Sequence, residues 1–173
     1  MSMVDLLLPE FDEEMAAARR MLERVPDGHA SWQPHPKSMS LGRLATHIAE
    51  IPSWTVNTLT RAELDIAPPG APPFQPRVVE STAERLALFD ANVAAARAAL
   101  AAIADTEFAQ PWTFKRGGQI IWTRPKHEVF RRMAMSHLVH HRAQLGVYLR
   151  LREVAIPGMY GPSADEKGAR PAT

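Results

Sequence analysis

The chain has 173 residues, a net charge of +1, 46% hydrophobic residues and 23% charged ones. That balance fits one globular domain with a sizeable core and carries no electrostatic footprint for nucleic acid or an anionic membrane. Seven histidines but no cysteine exclude disulfides, thiolate metal sites and a protein-borne thiol nucleophile, so any metal needs nitrogen or oxygen ligands.

No apolar run reaches the ~18 residues of a membrane-spanning helix. The start of the chain also lacks a basic-then-apolar signal, which predicts a cytoplasmic protein. From Val4, apolar residues recur at Leu8, Phe11, Met15, Ala18, Leu22 and Val25, the alternation of a bundle helix. Pro9 removes a helix hydrogen bond, so this helix either starts near Leu8 or kinks there. Pro26-Asp27-Gly28 ends it. The segment Ser31–Ser40 carries two prolines and reads as extended, with Ser40 as the N-cap of the next helix. That second helix places Leu41, Leu44, His47, Ile48, Ile51, Trp54, Thr55 and Thr58 on one face, with Pro52 bending it. Pro68–Pro76 is too proline-rich for regular structure.

Ser81-Thr-Ala-Glu84 is a capping box that opens a third helix, with Leu86, Phe89, Val93, Ala96, Leu100 and Ile103 inward. Trp112–Thr123 reads as two short strands around Gly117-Gly118. Pro125 suits the first turn of a fourth helix, which runs to about Glu153. The reading is an all-α four-helix bundle with a short β-hairpin before the last helix. Residues 1–161 form a single domain and residues 162–173 a flexible tail.

The chemistry concentrates in the fourth helix. Phe130, Met133, Ala134, His137, Leu138, His141, Leu145 and Tyr148 form one apolar stripe with His137 and His141 at i and i+4. Two imidazoles one turn apart converge on a point, and a divalent metal satisfies both. A catalytic site of this kind commonly has three protein ligands and an open position. His47, in the middle of the second helix's apolar face, fits as the third. A lone H-x-x-x-H pair is weak evidence, because a histidine on an apolar face is more often a core residue bonded to a carbonyl or a water. Glu50, at i+3 from His47, is a candidate acceptor for its other N–H. His140 turns off the stripe and is expected to be exposed or just behind the ligands. Trp54 either lines the pocket mouth or packs in the core. Gln144 could bond a ligand or a neighbouring helix, Arg142 a substrate carboxylate or a structural partner, and Tyr148 is core or pocket. His29, His35 and His127 read as solvated, and Lys115-Arg116 as a solvated turn. No phosphate loop or serine-nucleophile elbow is present, and no catalytic residue is assigned.

The order Trp32-Gln-Pro-His-Pro-Lys-Ser-Met-Ser-Leu-Gly-Arg-Leu-Ala-Thr-His47, then His137-Leu-Val-His-His141-Arg-Ala-Gln144 and Val154-Ala-Ile-Pro-Gly-Met-Tyr-Gly-Pro-Ser163, resembles the DinB-like (YfiT-type) metalloprotein family over nearly the whole chain. It departs from many relatives at Ala143, where they carry glycine. The resemblance implies a four-helix bundle, commonly a homodimer, with zinc or nickel on three histidines: here His47, His137 and His141. It implies a small-molecule substrate and, first, a thiol-dependent S-transferase in which the metal activates a low-molecular-weight thiol. Metal-dependent hydrolysis through an activated water is the second implication; a third reading, of another class, is metal or ligand binding without turnover in a stress-response or storage role.

Overall fold

The computed structural model describes residues 2–166. Helix α1 spans Met3–Leu22 and starts on a reciprocal cap: Ser2 Oγ accepts the Asp5 N–H at 3.1 Å, and Asp5 Oδ2 accepts the Ser2 N–H at 2.8 Å. This cap fixes the first turn ahead of Pro9, so the helix begins before the proline and continues through it. Phe11, Met15, Ala18, Leu22 and Val25 are buried as their spacing predicts.

Helix α2, Leu41–Thr60, is capped by Ser40 and also runs through its proline, Pro52. Leu41, Leu44, Ala45, Ile48, Ala49 and Ile51 are each no more than 1% exposed, which makes α2 the central helix. It packs against α3, Thr82–Ala102, on one side and the last helix on the other. Ser81 Oγ accepts the Glu84 N–H, the predicted N-cap contact of α3. A short helix α4, Asp105–Phe108, follows and places Phe108 in the core.

Strand β1, Glu63–Asp65, was not predicted. It pairs in parallel with β2, Pro111–Arg116, and β2 pairs antiparallel with β3, Gln119–Pro125. The predicted pair of strands is therefore two-thirds of a mixed sheet ordered β1-β2-β3. Gly117 and Gly118 turn at φ +62° and +77°, a conformation that favours glycine. The Asp65 carboxylate accepts both of their N–H groups, at 3.0 and 2.6 Å, and that of Ala67 at 2.9 Å. One side chain so ties β1 to the turn, and a three-residue strand held this way has no periodicity to read.

The last helical stretch is not one regular helix. It comprises α5, Lys126–Val129, a π-helical segment, Phe130–Ser136, and α6, His137–Leu151. The π segment buries both Phe130 and Met135, five residues apart, as i→i+5 bonding does. Lys126, 5% exposed, donates to the Leu59 carbonyl at 2.8 Å and to Glu107 at 3.1 Å, joining this stretch to the end of α2 and to α4. The molecule is thus mostly helical with a small three-stranded sheet. None of its helices is long and apolar enough to cross a membrane, among the described residues. Beyond Gly161, Asp165 binds Arg150 and the Ile156 N–H, and Glu166 accepts from Gly158 and Ser163. Of the tail predicted to be flexible, 167–173 lie outside the described residues.

The loop before α2 meets the helix closely. A Cβ on Gly42 would lie 2.6 Å from Ala30 Cβ and 2.9 Å from its Cα, and the Gly42 N–H donates to the Ala30 carbonyl. Gly42→Ala is expected to destabilise the fold by about 1–3 kcal/mol, the usual overpacking cost. Urea unfolding measures it, and an unchanged midpoint would mean that the loop yields freely.

Candidate metal centre

Two helices bring the three stripe histidines together. His47 comes from the middle of α2, and His137 and His141 from the first two turns of α6. His137 Nε2 lies 3.0 Å from His47 Nε2 and 2.9 Å from His141 Nε2. One ligand atom from each ring falls within 4.8 Å of the others. A tetrahedral ion with bonds of about 2.0–2.1 Å separates its nitrogens by about 3.3 Å, a few tenths of an ångström more than the two close contacts, so the three rings are near enough to share one ion.

Their surroundings keep the rings neutral. His47 and His141 are 8% and 9% exposed and His137 is half-buried. Burial, reinforced by the neighbouring imidazoles, pushes His47 down to about 3 and His137 down to about 4. His141 is also lowered by burial, against the opposing pull of its bond to Gln144. Neutral imidazoles offer lone pairs, the form a metal binds.

Proton positions show what this cluster lacks. Gln144 Oε1 lies 2.8 Å from His141 Nδ1. The carbonyl oxygen only accepts, so the proton is on Nδ1 and Nε2 presents a bare lone pair. At His47, Arg43 Nη2 lies 3.3 Å from Nδ1, and a guanidinium only donates. Neutral His47 therefore carries its proton on Nε2, facing His137. That one proton satisfies the His47–His137 contact, and two lone pairs remain opposed between His137 and His141. A cation at the convergence point would replace that repulsion, so the donor set fits a divalent metal on chemical grounds. Were a metal held at His47 Nε2, the ring's proton would sit on Nδ1, and the Arg43 guanidinium now 3.3 Å away would have to turn aside. The nearest carboxylate there is Glu50, whose Oε2 is 4.0 Å away and already accepts from Arg43 Nη1 at 2.9 Å.

The other sequence candidates fall into three places. Trp54 stands edge-on to the cluster, its ring 5.5 Å from His47 and 5.1 Å from His137. His140 is exposed, 4.8 Å from the His141 ring. Arg142 and Tyr148 face elsewhere. Arg142, 2% exposed, pairs with Glu14 at 2.6 Å and donates to the Tyr160 hydroxyl, while Tyr148 packs against Trp32. His29 and His127, read as solvated, are half-buried and partnered, by Arg152 and by the Phe108 carbonyl respectively. Of Lys115-Arg116, read as a solvated turn, both end strand β2: Arg116 is exposed as expected and forms part of a cavity wall, while Lys115 is half-buried and pairs with Glu63.

That cavity, about 920 Å³, opens beside His47, in the size range of small-molecule sites. It follows α2 from Arg43 to Thr58 and is closed by Trp112 and Phe114 of the sheet and by Ala71–Phe74 of the proline-rich segment. Sequence reasoning missed Arg43, although it sits one turn before His47 on the same helix. It also missed the aromatic wall, whose alternation in Trp112-Thr-Phe114 was readable as one face of a strand. For Phe74 there was no signal.

The chain matches the DinB superfamily family model over residues 10–145. Two solved structures share its fold. A DinB-like protein from Bacillus subtilis is 19% identical, with a TM-score of 0.67, over 89% of this chain and 96% of that one. A DinB-like protein from Bacillus cereus is 21% identical, with a TM-score of 0.66, over 88% and 95%. No curated protein matches the sequence significantly. With the family model spanning residues 10–145, most of its length, this chain belongs to the DinB superfamily.

Proposed function

We propose that this protein is a metal-dependent S-transferase. His47, His137 and His141 hold a divalent cation, zinc or nickel, and the adjoining cavity receives a low-molecular-weight thiol and a small electrophile. The observation that carries this reading is the convergence of three neutral imidazoles beside an open cavity. A divalent cation bound there supplies positive charge that lowers the pKa of a thiol or water at its open position. The thiol loses its proton to solvent, its sulfur forms the new C–S bond, and the electrophile's leaving group departs. An external thiol agrees with a chain that has no cysteine of its own. The chain's residues orient and exclude. Gln144 fixes the His141 tautomer, Arg43 links His47 Nδ1 to the Glu50 carboxylate, and Trp54 shields the cluster from water. His140 stands behind the ligands.

Hydrolysis is the second reading, favoured by the Glu50 carboxylate in the cavity wall, where it could take a proton from water. We further read the four long helical stretches as a four-helix bundle of one domain, cytoplasmic and homodimeric. Exposed Val147 and Leu151 on α6 are apolar residues that a second copy would cover.

Elemental analysis should find about one metal per chain in native protein and almost none in His137→Ala. Equal contents would remove the site. Metal-loaded protein should then couple glutathione, bacillithiol or mycothiol to a chlorinated nitrobenzene, and chelation should abolish the product. Turnover of ester or amide substrates without thiol would favour hydrolysis instead, and neither activity would leave a binding protein.

The rings also predict a pH dependence for metal-free protein. Their folded pKa values lie below the ordinary 6.5, so the unfolded chain binds more protons and stability rises with pH. Read downward, stability is lost as pH falls from about 6.5 towards 4. One ring kept neutral at pH 5 costs the native state roughly 2 kcal/mol. Melting of chelator-treated protein at pH 7 and pH 5 measures this, and His137→Ala should flatten the slope. An identical slope in the variant would contradict the assignment.

A further inference from the structure

We infer that the cavity beside His47 takes an organic carboxylate with a planar apolar body, its carboxylate held by Arg116. This deepens the small-molecule reading of that cavity but does not depend on the metal.

The charges in the wall select the sign of the ligand. The charged side chains there, apart from the histidine, are Arg43, Glu50 and Arg116. Arg43 and Glu50 neutralise each other at 2.9 Å. Lys115, next to Arg116, is taken by Glu63. Arg116 has no carboxylate partner among the described residues, so it is the uncompensated charge of the cavity. A guanidinium matches a carboxylate with two parallel hydrogen bonds. One free cation suits a monoanion better than a phosphate. The Gly117 and Gly118 N–H groups beside it, which could have cradled a phosphate, are already bound to Asp65.

The rest of the wall selects the body. The cavity runs along α2 from His47 to Thr58, about 16 Å at 1.5 Å per residue. Trp54, Trp112 and Phe114 present aromatic rings, and Phe74 and Ile66 remain 74% and 46% exposed at the wall. Exposed apolar groups in a concave wall are covered when an apolar ligand enters. Trp112, only 3% exposed, has an indole N–H without a hydrogen-bond acceptor among the described residues. This is the kind of donor that a substrate oxygen satisfies after a small adjustment.

The test compares 2-naphthylacetate with 2-(2-naphthyl)ethanol by calorimetry, on native protein, Arg116→Gln, Arg116→Lys and metal-free His137→Ala. Arg116 is exposed on the sheet, so its variants should keep the native circular dichroism. The acid should bind native protein about tenfold or more tightly than the alcohol. Arg116→Gln should remove that preference, Arg116→Lys should keep part of it, and His137→Ala should retain it. Retention in His137→Ala supports the carboxylate site even if no metal is found there. Loss of the preference in His137→Ala with no effect of Arg116→Gln would put the anion at the histidines and overturn the proposal. Equal affinity for the two probes, or no binding of either, would overturn it too.

Discussion

Three imidazoles stripped of most of their water and turned towards one point set the terms for the rest of this structure. Left to themselves they would spread, since two opposed lone pairs at 2.9 Å repel. The helices that carry them cannot yield. His47 sits among α2 residues that are almost completely buried, and Leu138 and Leu145 on α6 have no exposed surface. Close packing makes such positions stiff. The same burial that holds the rings keeps them unprotonated, so one cause yields both the geometry and the lone pairs.

Around this centre, polar side chains bind irregular segments to the helices by their backbone groups. Arg85, 1% exposed, donates to the Val79 and Glu80 carbonyls, and Thr46 Oγ1 on α2 accepts the Val79 N–H at 2.8 Å. Arg43 reaches the Arg77 carbonyl at 3.0 Å. These bonds anchor the C-terminal end of the segment between β1 and α3, while Asp65 anchors its start. Between the two anchors the proline-rich stretch forms a cavity wall without regular secondary structure. Buried charges of this sort add little net stability, but removing one leaves its partners unsatisfied. Their effect here is positional: they decide where Phe74 and Pro73 stand relative to α2.

The long amphipathic helices were legible because burial imposes a period on them. Leu41, Leu44, Ile48 and Ile51 all lie where their spacing puts them, and so does His47 among them. The caps at Ser40 and Ser81 were equally local signals. What the sequence concealed depends on distant partners. Strand β1 exists through Asp65, fifty-two residues from the Gly117 it binds. Arg142 could not be told apart as ligand or staple until Glu14 and Tyr160 were seen beside it. The charge of the cavity is similarly non-local, since Glu50 offsets that of Arg43 and no carboxylate among the described residues offsets that of Arg116.

The π segment shows why an ideal helix would have served this site less well. Before it, Val129 contributes to the cavity wall and Lys126 reaches the end of α2. After it, His137, Leu138, His141 and Leu145 keep α-helical spacing against α2 and the core. An unbroken α-helix fixes the rotation between these two halves at 100° per residue, 3.6 residues to the turn. The wider i→i+5 turn changes that phase, so Met135 turns inward beside Phe130 and Met133 is left at the cavity. The helix gives up regular hydrogen bonding over one short segment. In return its first half serves the wall and its second half aims two imidazoles at His47, a division of labour that a strict 3.6-residue stripe running from Phe130 to Tyr148 could not express.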